Sequence, residues 1–221
     1  DLEYNKPADF PIVIEKYMEE GKRIGVYPIG EDAWLDMGQL DELEKMKARL
    51  GCWRIMEDII LLGLGGHAHS VVDSIERGEK YNIVGFLDTE EMQGKRYKDY
   101  HVLDTDDALQ KYFDHGLRNA FVTIGFMGHG IVRNRLYQRL KDIGYIIPNI
   151  IDKTAVISEN VKLEEGIFVW KKAVINGNTI IEKMCIINTG AIVEHDCKIN
   201  SFSHIAVGTV LCGGVLVGEQ T

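Results

Sequence analysis

The sequence predicts an α/β unit with a parallel sheet followed by a parallel β-helix of triangular coils, with a short α/β segment ahead of both. Two observations carry this expectation. From residue 151 onward an aliphatic side chain recurs at every sixth position, at Ile151, Ile157, Leu163, Val169, Ile175, Ile181, Ile187, Val193, Ile199, Ile205, Leu211 and Val217. Ahead of that repeat, an apolar run ending in GLGGHAHS leads through a helix-spaced stretch to a second apolar run closed by an acid, YNIVGFLD.

The repeat defines the carboxyl-terminal part. Four places after each aliphatic position stands a mostly small residue: Ala155, Val161, Ile167, Ala173, Thr179, Cys185, Ala191, Cys197, Ser203, Thr209, Val215 and Thr221. Two inward columns of the same period require stacked rungs, in which three hexapeptides make a coil of about 18 residues and coils pair in parallel about 4.8 Å apart. The aliphatic column fills the prism and the small column fits its corners. The last hexapeptide stops at Thr221, its fifth residue, so the β-helix is expected to be truncated at its carboxyl terminus.

The elements before the repeat follow in order. Residues 1–50 hold helix-like runs at 12–20 and 39–50, with the strand-like RIGVYPIG and the turn EDAWLDMG between them. From Asp58 come the strand IILLG, the Gly-rich turn, the helical VVDSIER, the strand ending at Asp88, and a helical stretch at 106–112. The strand AFVTIG, the long helix GIVRNRLYQRLKDIG and the extended YIIPNI complete the series. Strand, Gly-rich turn, helix, strand and acid open a doubly wound, Rossmann-like domain, whose helix amino terminus with bare N–H groups suits a phosphate. Gly63, Gly65 and Gly66 suggest a dinucleotide, yet G-x-G-G-H lacks the third glycine in its usual place. The organisation read from the chain is therefore 1–55, a Rossmann-like domain at 56–147, and the β-helix at 148–221.

Composition narrows the function classes. A net charge of −9 over 221 residues, with no local Lys/Arg cluster, excludes nucleic acid as a partner. No run approaches the roughly 18 apolar residues of a membrane span, and no basic-then-apolar segment opens the chain, so no membrane partner is expected and the compartment expected is the cytosol. Cys52, Cys185, Cys197 and Cys212 lack CxxC spacing. Cys185 and Cys197 fall on the small inward column, which assigns them to packing. Of the seven histidines only His195 and His204 lie in the repeat.

The hexapeptide period resembles the hexapeptide-repeat acyltransferases, which implies a left-handed parallel β-helix and transfer of acyl groups from coenzyme A. The order GLGGHAH, FLD, TIG, hexapeptides resembles, from about Asp58 to the end, the NeuD/PglD family, which acetylates sialic acids or nucleotide-linked amino sugars. What the resemblance implies is an acetyl-coenzyme A-dependent enzyme with no metal, a nucleotide-sugar or sialic-acid-type substrate, and a homotrimer. The densest match, IINTGAIVEHDCKINSFSHIAVGTVLCGG, places the general base at His195, with Asp196 as its orienting carboxylate and Glu194 second to it. Asn188 and Gly213 match positions lining the acetyl-coenzyme A site, and His204 falls there too, either binding the acetyl group or orienting backbone. The sugar or nucleotide falls to Gly65, Gly66, His67, Asp88 and Gly125; Asp88 reads equally as a turn cap. FMGHG, residues 126–130, is longer than the family's loop.

Gly177 and Gly213 lie 18 residues either side of His195 and are expected to leave room for substrate. A thioester is already activated, so direct transfer without a cysteine nucleophile is expected. Residues 1–55 resemble the carboxyl-terminal end of a sugar nucleotidyltransferase, whose W-x-D-x-G motif would make Asp36 a magnesium ligand. Without a Gly-rich nucleotide loop and a second aspartate upstream, the segment reads as a remnant, from a fusion or adjoining reading frames, with Met56 an original start. Two other readings remain: a catalytically silent sugar-nucleotide binding or scaffold protein, and a γ-type carbonic anhydrase, which would need three histidines for zinc.

Overall fold

The computed structural model describes residues 56–125, 128 and 130–221. Asp36, Cys52 and the rest of the nucleotidyltransferase-like segment lie outside the described residues, as do Phe126, Met127 and His129 of the FMGHG loop.

The α/β unit is a five-stranded sheet in the order β3-β4-β2-β1-β5. Its strands are β1 (Glu57–Leu62), β2 (Tyr81–Leu87), β3 (Arg96–Tyr97), β4 (Tyr100–Asp104) and β5 (Asn119–Val122). All pairings are parallel except β3 with β4. Helix α1 (Gly66–Gly78) buries Ala68, Val71, Val72 and Ile75, the i, i+3, i+4, i+7 face of an amphipathic helix. It ends where Glu79 enters the left-handed region at φ 54° and donates its N–H to the Ile75 carbonyl. Helices α2 (Leu109–Asp114) and α3 (Ile131–Ile143) cover the other face, with Leu109, Leu136 and Leu140 buried. The sequence anticipates β1, β2, β5 and the helices; the β3–β4 hairpin is an addition, and only Val102 of its residues is buried. Because β2 lies on one side of β1 and β5 on the other, the Gly-rich turn after β1 sits at the switch point of the sheet, where ligands bind in such folds.

The repeat forms three four-stranded parallel walls. The first holds β6 (Ile150–Ile151), β9 (Phe168–Val169), β12 (Ile186–Ile187) and β15 (His204–Ile205). The second holds β7 (Val156–Ile157), β10 (Val174–Ile175), β13 (Ile192–Val193) and β16 (Val210–Leu211). The third holds β8 (Lys162–Leu163), β11 (Ile180–Ile181), β14 (Lys198–Ile199) and β17 (Leu216–Val217). Register pairs each residue with the one 18 further on, as in Ile175 with Val193. Every sixth residue from Gly166 to Gln220 turns a corner with φ between 55° and 73°, a left-handed conformation that glycine, asparagine and aspartate adopt most readily.

Both inward columns behave as the spacing predicts through the middle coils, while Ile151 at the start of the aliphatic column is 39% exposed and Thr221 at the end of the small one is exposed. Val169, Ile175, Ile181, Ile187, Val193 and Ile199 are fully buried. The small column bonds as well as packs: Thr179 Oγ1 donates to the Glu194 carbonyl (3.0 Å), and Cys185 and Cys197 Sγ donate to the Asn200 and Cys212 carbonyls (3.2 Å each). Burial pushes the Cys185 thiol up to about 12, which removes it as a nucleophile at neutral pH. Cys212 lies exposed in a turn.

The α/β unit covers the first wall and its two corners. Ile150, Phe168 and Ile186 point outward from that wall into a core shared with α1 and the sheet. Ser74 of α1 donates to Asp152 (3.1 Å), and Lys171 pairs with Asp73 (2.5 Å) at the corner toward the second wall. At the corner toward the third wall, Tyr137 and Lys141 of α3 reach Glu165 (2.8 and 2.9 Å). Among the described residues, no such contacts are made at the corner between the second and third walls, opposite the covered wall.

Replacing Ile187 with alanine, in the middle of the buried column, should destabilise the protein by about 2–5 kcal/mol in chemical denaturation. Ile131→Ala, at a residue 67% exposed, should cost no more than about 0.5 kcal/mol. Equal losses at the two positions would contradict the assignment of the aliphatic column to the prism interior.

Candidate active site

Chemistry-bearing residues gather at two places on opposite sides of the β-helix. The first is the uncovered corner. The turn after β13 carries His195 and Asp196, and Asp196 takes the left-handed corner conformation at φ 59°. This throws its carboxylate back toward the preceding ring, and Asp196 Oδ2 stands 2.7 Å from His195 Nδ1. A carboxylate only accepts, so Nδ1 carries the proton and Nε2 is left with its lone pair outward. The hydrogen bond to Asp196, then its charge, hold the His195 pKa above the ordinary 6.5; Glu194 adds to this in a smaller way. Glu194 does not compete as orienting group, because its Oε2 accepts from Asn176 (3.0 Å).

The glycines flanking His195 along the stack are not empty space. A Cβ on Gly213 would stand 2.6 Å from His195 Cε1 and 2.7 Å from Nε2, so the imidazole itself lies over the glycine of the coil above. A Cβ on Gly177 would meet Asn160 Oδ1 at 3.0 Å, so the space below is filled by an amide. The expected room for substrate therefore lies outward from the corner. Gly214 N–H donates to the His195 carbonyl (2.9 Å), which fixes the turn to the next coil.

The second place is the switch point of the sheet. Gly65, Gly66, His67, Asp88 and Gly125 line one cavity of about 390 Å³ together with Leu64, Met92 and Thr123. Helix α1 begins there with no side-chain cap and no acid in its first turn, leaving its N–H groups and positive end to face the cavity. Asp88 behaves as a turn cap: its Oδ2 accepts from Leu64 N–H (2.6 Å) and its Oδ1 from Thr89 N–H (2.7 Å), which ties the end of β2 to the Gly-rich turn. Gly125 is constrained by His67, whose Cβ would lie 3.3 Å from any Cβ added there.

His67 lies edge-on to Phe168 of the first wall, with ring centroids 5.2 Å apart. Burial, then the nearby Arg133 charge, then His204 lower its pKa to about 4. His204 is likewise lowered by burial and by Arg133. Both rings are therefore neutral at pH 7, whereas His195 is the one poised to accept and hold a proton. Arg133 was not singled out in the sequence. Only 2% exposed, it donates from Nη2 to the Met184 carbonyl (2.6 Å) while Nε and Nη1 have no partner among the described residues. Burial brings its pKa down to about 10, so its positive charge persists at neutral pH.

The group Asn188, His204 and Gly213 does not assemble as one site within a chain. Asn188 Nδ2 and His204 Nε2 are 3.0 Å apart on the first wall, beside His67 and Arg133, while Gly213 stands with His195 at the opposite corner. The sequence holds the reason: His204 follows His195 by nine residues, half of an 18-residue coil, and Gly213 follows it by a whole coil. The same count shows that the two histidines of the repeat cannot share a metal within one chain. Among the described residues no helix is long and apolar enough to cross a membrane.

Comparison with known proteins agrees with this architecture. Residues 58–140 match the family model described as the PglD N-terminal domain. Over 72% of this chain and 73% of the other, the structure superposes with TM-score 0.66 and 31% identity on the GDP-perosamine N-acetyltransferase PerB from Caulobacter crescentus, solved in complex with CoA and GDP-perosamine. The acetyltransferase domain of PglB from Neisseria gonorrhoeae, solved with acetyl coenzyme A, matches at 26% identity and TM-score 0.64 over 72% of this chain and 74% of that one. WeeI from Acinetobacter baumannii shares the fold at 16% identity and TM-score 0.52. With the Gly-rich α/β unit, the hexapeptide β-helix and the level of identity to PerB all in agreement, the chain belongs to the NeuD/PglD family of sugar acetyltransferases.

Proposed function

We propose that this chain transfers the acetyl group of acetyl-coenzyme A directly to an amino group of a nucleotide-linked sugar, with His195 as general base. The observation that carries the reading is the contrast with His67 and His204: His195 pairs with the Asp196 carboxylate, lies exposed, and has its pKa raised where theirs are lowered. Its Nε2 takes the proton from the attacking amine, Asp196 stabilises the imidazolium that forms, and as the tetrahedral intermediate collapses the C–S bond breaks and that proton passes to the departing coenzyme A thiolate. The tetrahedral oxyanion needs a backbone donor about 3 Å away. Gly214 N–H is committed to His195 O, so we assign that role to the N–H of Gly213. The nucleotide is assigned to the cavity of Gly65, Gly66, His67 and Gly125, where the α1 amino terminus and the charge of Arg133 favour an anion. Substrates named for the relatives, CoA and GDP-perosamine, suit this assignment; a hydroxyl acceptor on a sialic-acid-type sugar is the second reading. Such an enzyme works in the cytosol, where its thioester donor is made.

The two places lie on opposite sides of one β-helix, so the reaction calls for a second copy to bring a nucleotide cavity to His195. The second wall supplies the means. Val156, Val174, Ile192 and Val210 stack by register into an outward aliphatic stripe, with Val156 62% and Val210 60% exposed. The corresponding column of the third wall alternates Lys162 and Lys198 with Ile180 and Leu216. An apolar stripe of this kind marks an association surface, and we assign it to a homotrimer whose sites lie between neighbouring β-helices.

Release of the coenzyme A thiol should be seen with GDP- or UDP-linked amino sugars and acetyl-coenzyme A. Acetylation of free sialic acid alone would move the reading to the second alternative, and tight nucleotide-sugar binding without turnover would make the chain a silent binder. His195→Ala should lower kcat on the order of 10²- to 10⁴-fold while leaving acetyl-coenzyme A affinity near wild type; near wild-type turnover would remove His195 from the mechanism.

The pH dependence has a definite sign. A base works only when deprotonated, so the acidic limb of kcat/KM should lie above pH 6.5, because the pKa of His195 is raised. Asp196→Asn should move the limb toward lower pH and reduce kcat, since it removes both the hydrogen-bonding charge and the tautomer control. An unmoved limb would separate Asp196 from the base.

Ile192→Lys, which places a charge in the apolar stripe without touching His195, should yield monomers in sedimentation velocity and abolish turnover. An active monomer would show that one chain completes the site.

A further inference from the structure

The catalytic dyad is the end of a hydrogen-bonded ladder that runs along the uncovered corner through three coils. Asn160 Nδ2 donates to Asn178 Oδ1 (2.5 Å), and Asn178 Nδ2 donates to Asp196 Oδ1 (3.0 Å). Asp196 Oδ2 accepts from His195 Nδ1 (2.7 Å). The spacings are 18 and 18 residues, so each side chain stands one coil from the next. The direction of every bond is fixed by chemistry. An ionised aspartate can only accept, so Asn178 must present its NH₂ to it; the Asn178 carbonyl then faces Asn160, which must present its own NH₂. Donors running in one sense polarise one another and converge on a single carboxylate. Backbone and neighbours are arranged for the ladder too. Asn178 and Asp196 both sit at the left-handed corner position (φ 59° each), and Gly177 lacks the side chain that would collide with Asn160 Oδ1.

We propose that Asn178, backed by Asn160, is a positioning residue for the transfer reaction: its amide immobilises one oxygen of Asp196 so that the other holds the Nδ1–H tautomer of His195. This rests on the reading of His195 as general base. Without the amide the carboxylate is free to rotate into solvent, and an unrestrained imidazole exchanges between tautomers, only one of which leaves Nε2 able to accept. The titratable groups acting on the ring are Asp196 and Glu194 from its own turn; the turn of the coil below, 176–178, brings only Asn176, Gly177 and Asn178. A change in Asn178 therefore reaches His195 through Asp196.

The test uses Asn178→Gly, since glycine adopts φ 59° without strain and the variant keeps the corner while losing the amide. Asn178→Asp keeps the size but exchanges the donor for an acceptor. In the full chain, the ¹⁵N spectrum of His195 should show a single Nδ1–H tautomer in the wild type, and a mixture in both variants. The His195 titration midpoint should fall in Asn178→Gly, because the Asp196 hydrogen bond is the largest contribution raising it. With acetyl-coenzyme A and GDP-perosamine as probes, kcat should fall on the order of 10-fold in each variant with the KM for acetyl-coenzyme A unchanged. A wild-type tautomer and midpoint in Asn178→Gly would overturn the proposal, whether or not kcat falls, since a merely structural role lowers activity without touching the ring. Failure of the underlying reading is separate: His195→Ala with full turnover would remove the base and with it any catalytic role of the ladder, even where the spectra change as expected.

Discussion

Everything in the carboxyl-terminal part follows from one constraint, the parallel register that stacks each residue on the one 18 positions away. Strands of two residues cannot hold a shape by themselves; each is held by hydrogen bonds from the coils above and below, and by side chains buried at 0% exposure along the prism axis. Position in the sequence is thereby converted into position on a corner. It puts His195 under Gly213, Asn178 under Asp196, and Val156, Val174, Ile192 and Val210 in one line. An insertion of one residue between Asn178 and His195 would rotate the dyad off its corner and separate it from the ladder at once. The unbroken period is thus as much a condition of the site as of the fold.

The α/β unit depends on the same register through the wall it covers. Phe168 and Ile186 can face outward into its core only because sheet pairing keeps them in one column with Ile150. The junction is closed by Arg133, whose burial disfavours its charge, while the Met184 carbonyl satisfies only one of its nitrogens. That buried cation has an electrostatic consequence. With His67 and His204 close to it and desolvated, neither ring can serve as a proton acceptor near neutrality, and Arg133 is left as the positive charge beside them. On the proposed reading one side of the β-helix holds an anion and the other takes a proton.

Much of this was legible in the chain, and the parts that were not have identifiable causes. The inward columns, the Gly-rich turn, α1 and α3 are periodic signals of many residues, so they survive any local ambiguity. The His195–Asp196 pair was legible because the two residues are adjacent. The β3–β4 hairpin was missed because Arg96–Tyr97 and Tyr100–Asp104 are short and bury only Val102, which leaves almost no pattern to read. Resemblance groups His204 with Gly213 by motif, and the coil count, nine against 18, adds that within one chain they stand on different sides of the β-helix. The Asn160–Asn178–Asp196 ladder was overlooked since polar residues at exposed turns ordinarily face water. Its signal was nevertheless present as an amide, an amide and an acid at intervals of one coil.

The exposure of the dyad bears on how it works. His195 and Asp196 side chains are 65% and 55% exposed within a single chain, so water competes for both and screens the charge of the carboxylate. An imidazole in that state is reachable but ordinary. On the proposed reading, in which a second β-helix and the two substrates cover the corner, the same 2.7 Å contact would lie in a drier medium, where the attraction between carboxylate and imidazolium strengthens several-fold for an unchanged geometry. A proton taken from an amine by that base would then be held most firmly at the moment of transfer. Geometry fixed beforehand by the coil register is what lets this happen without rearrangement, since a dyad that had to be ordered during closure would lose part of that gain to conformational entropy.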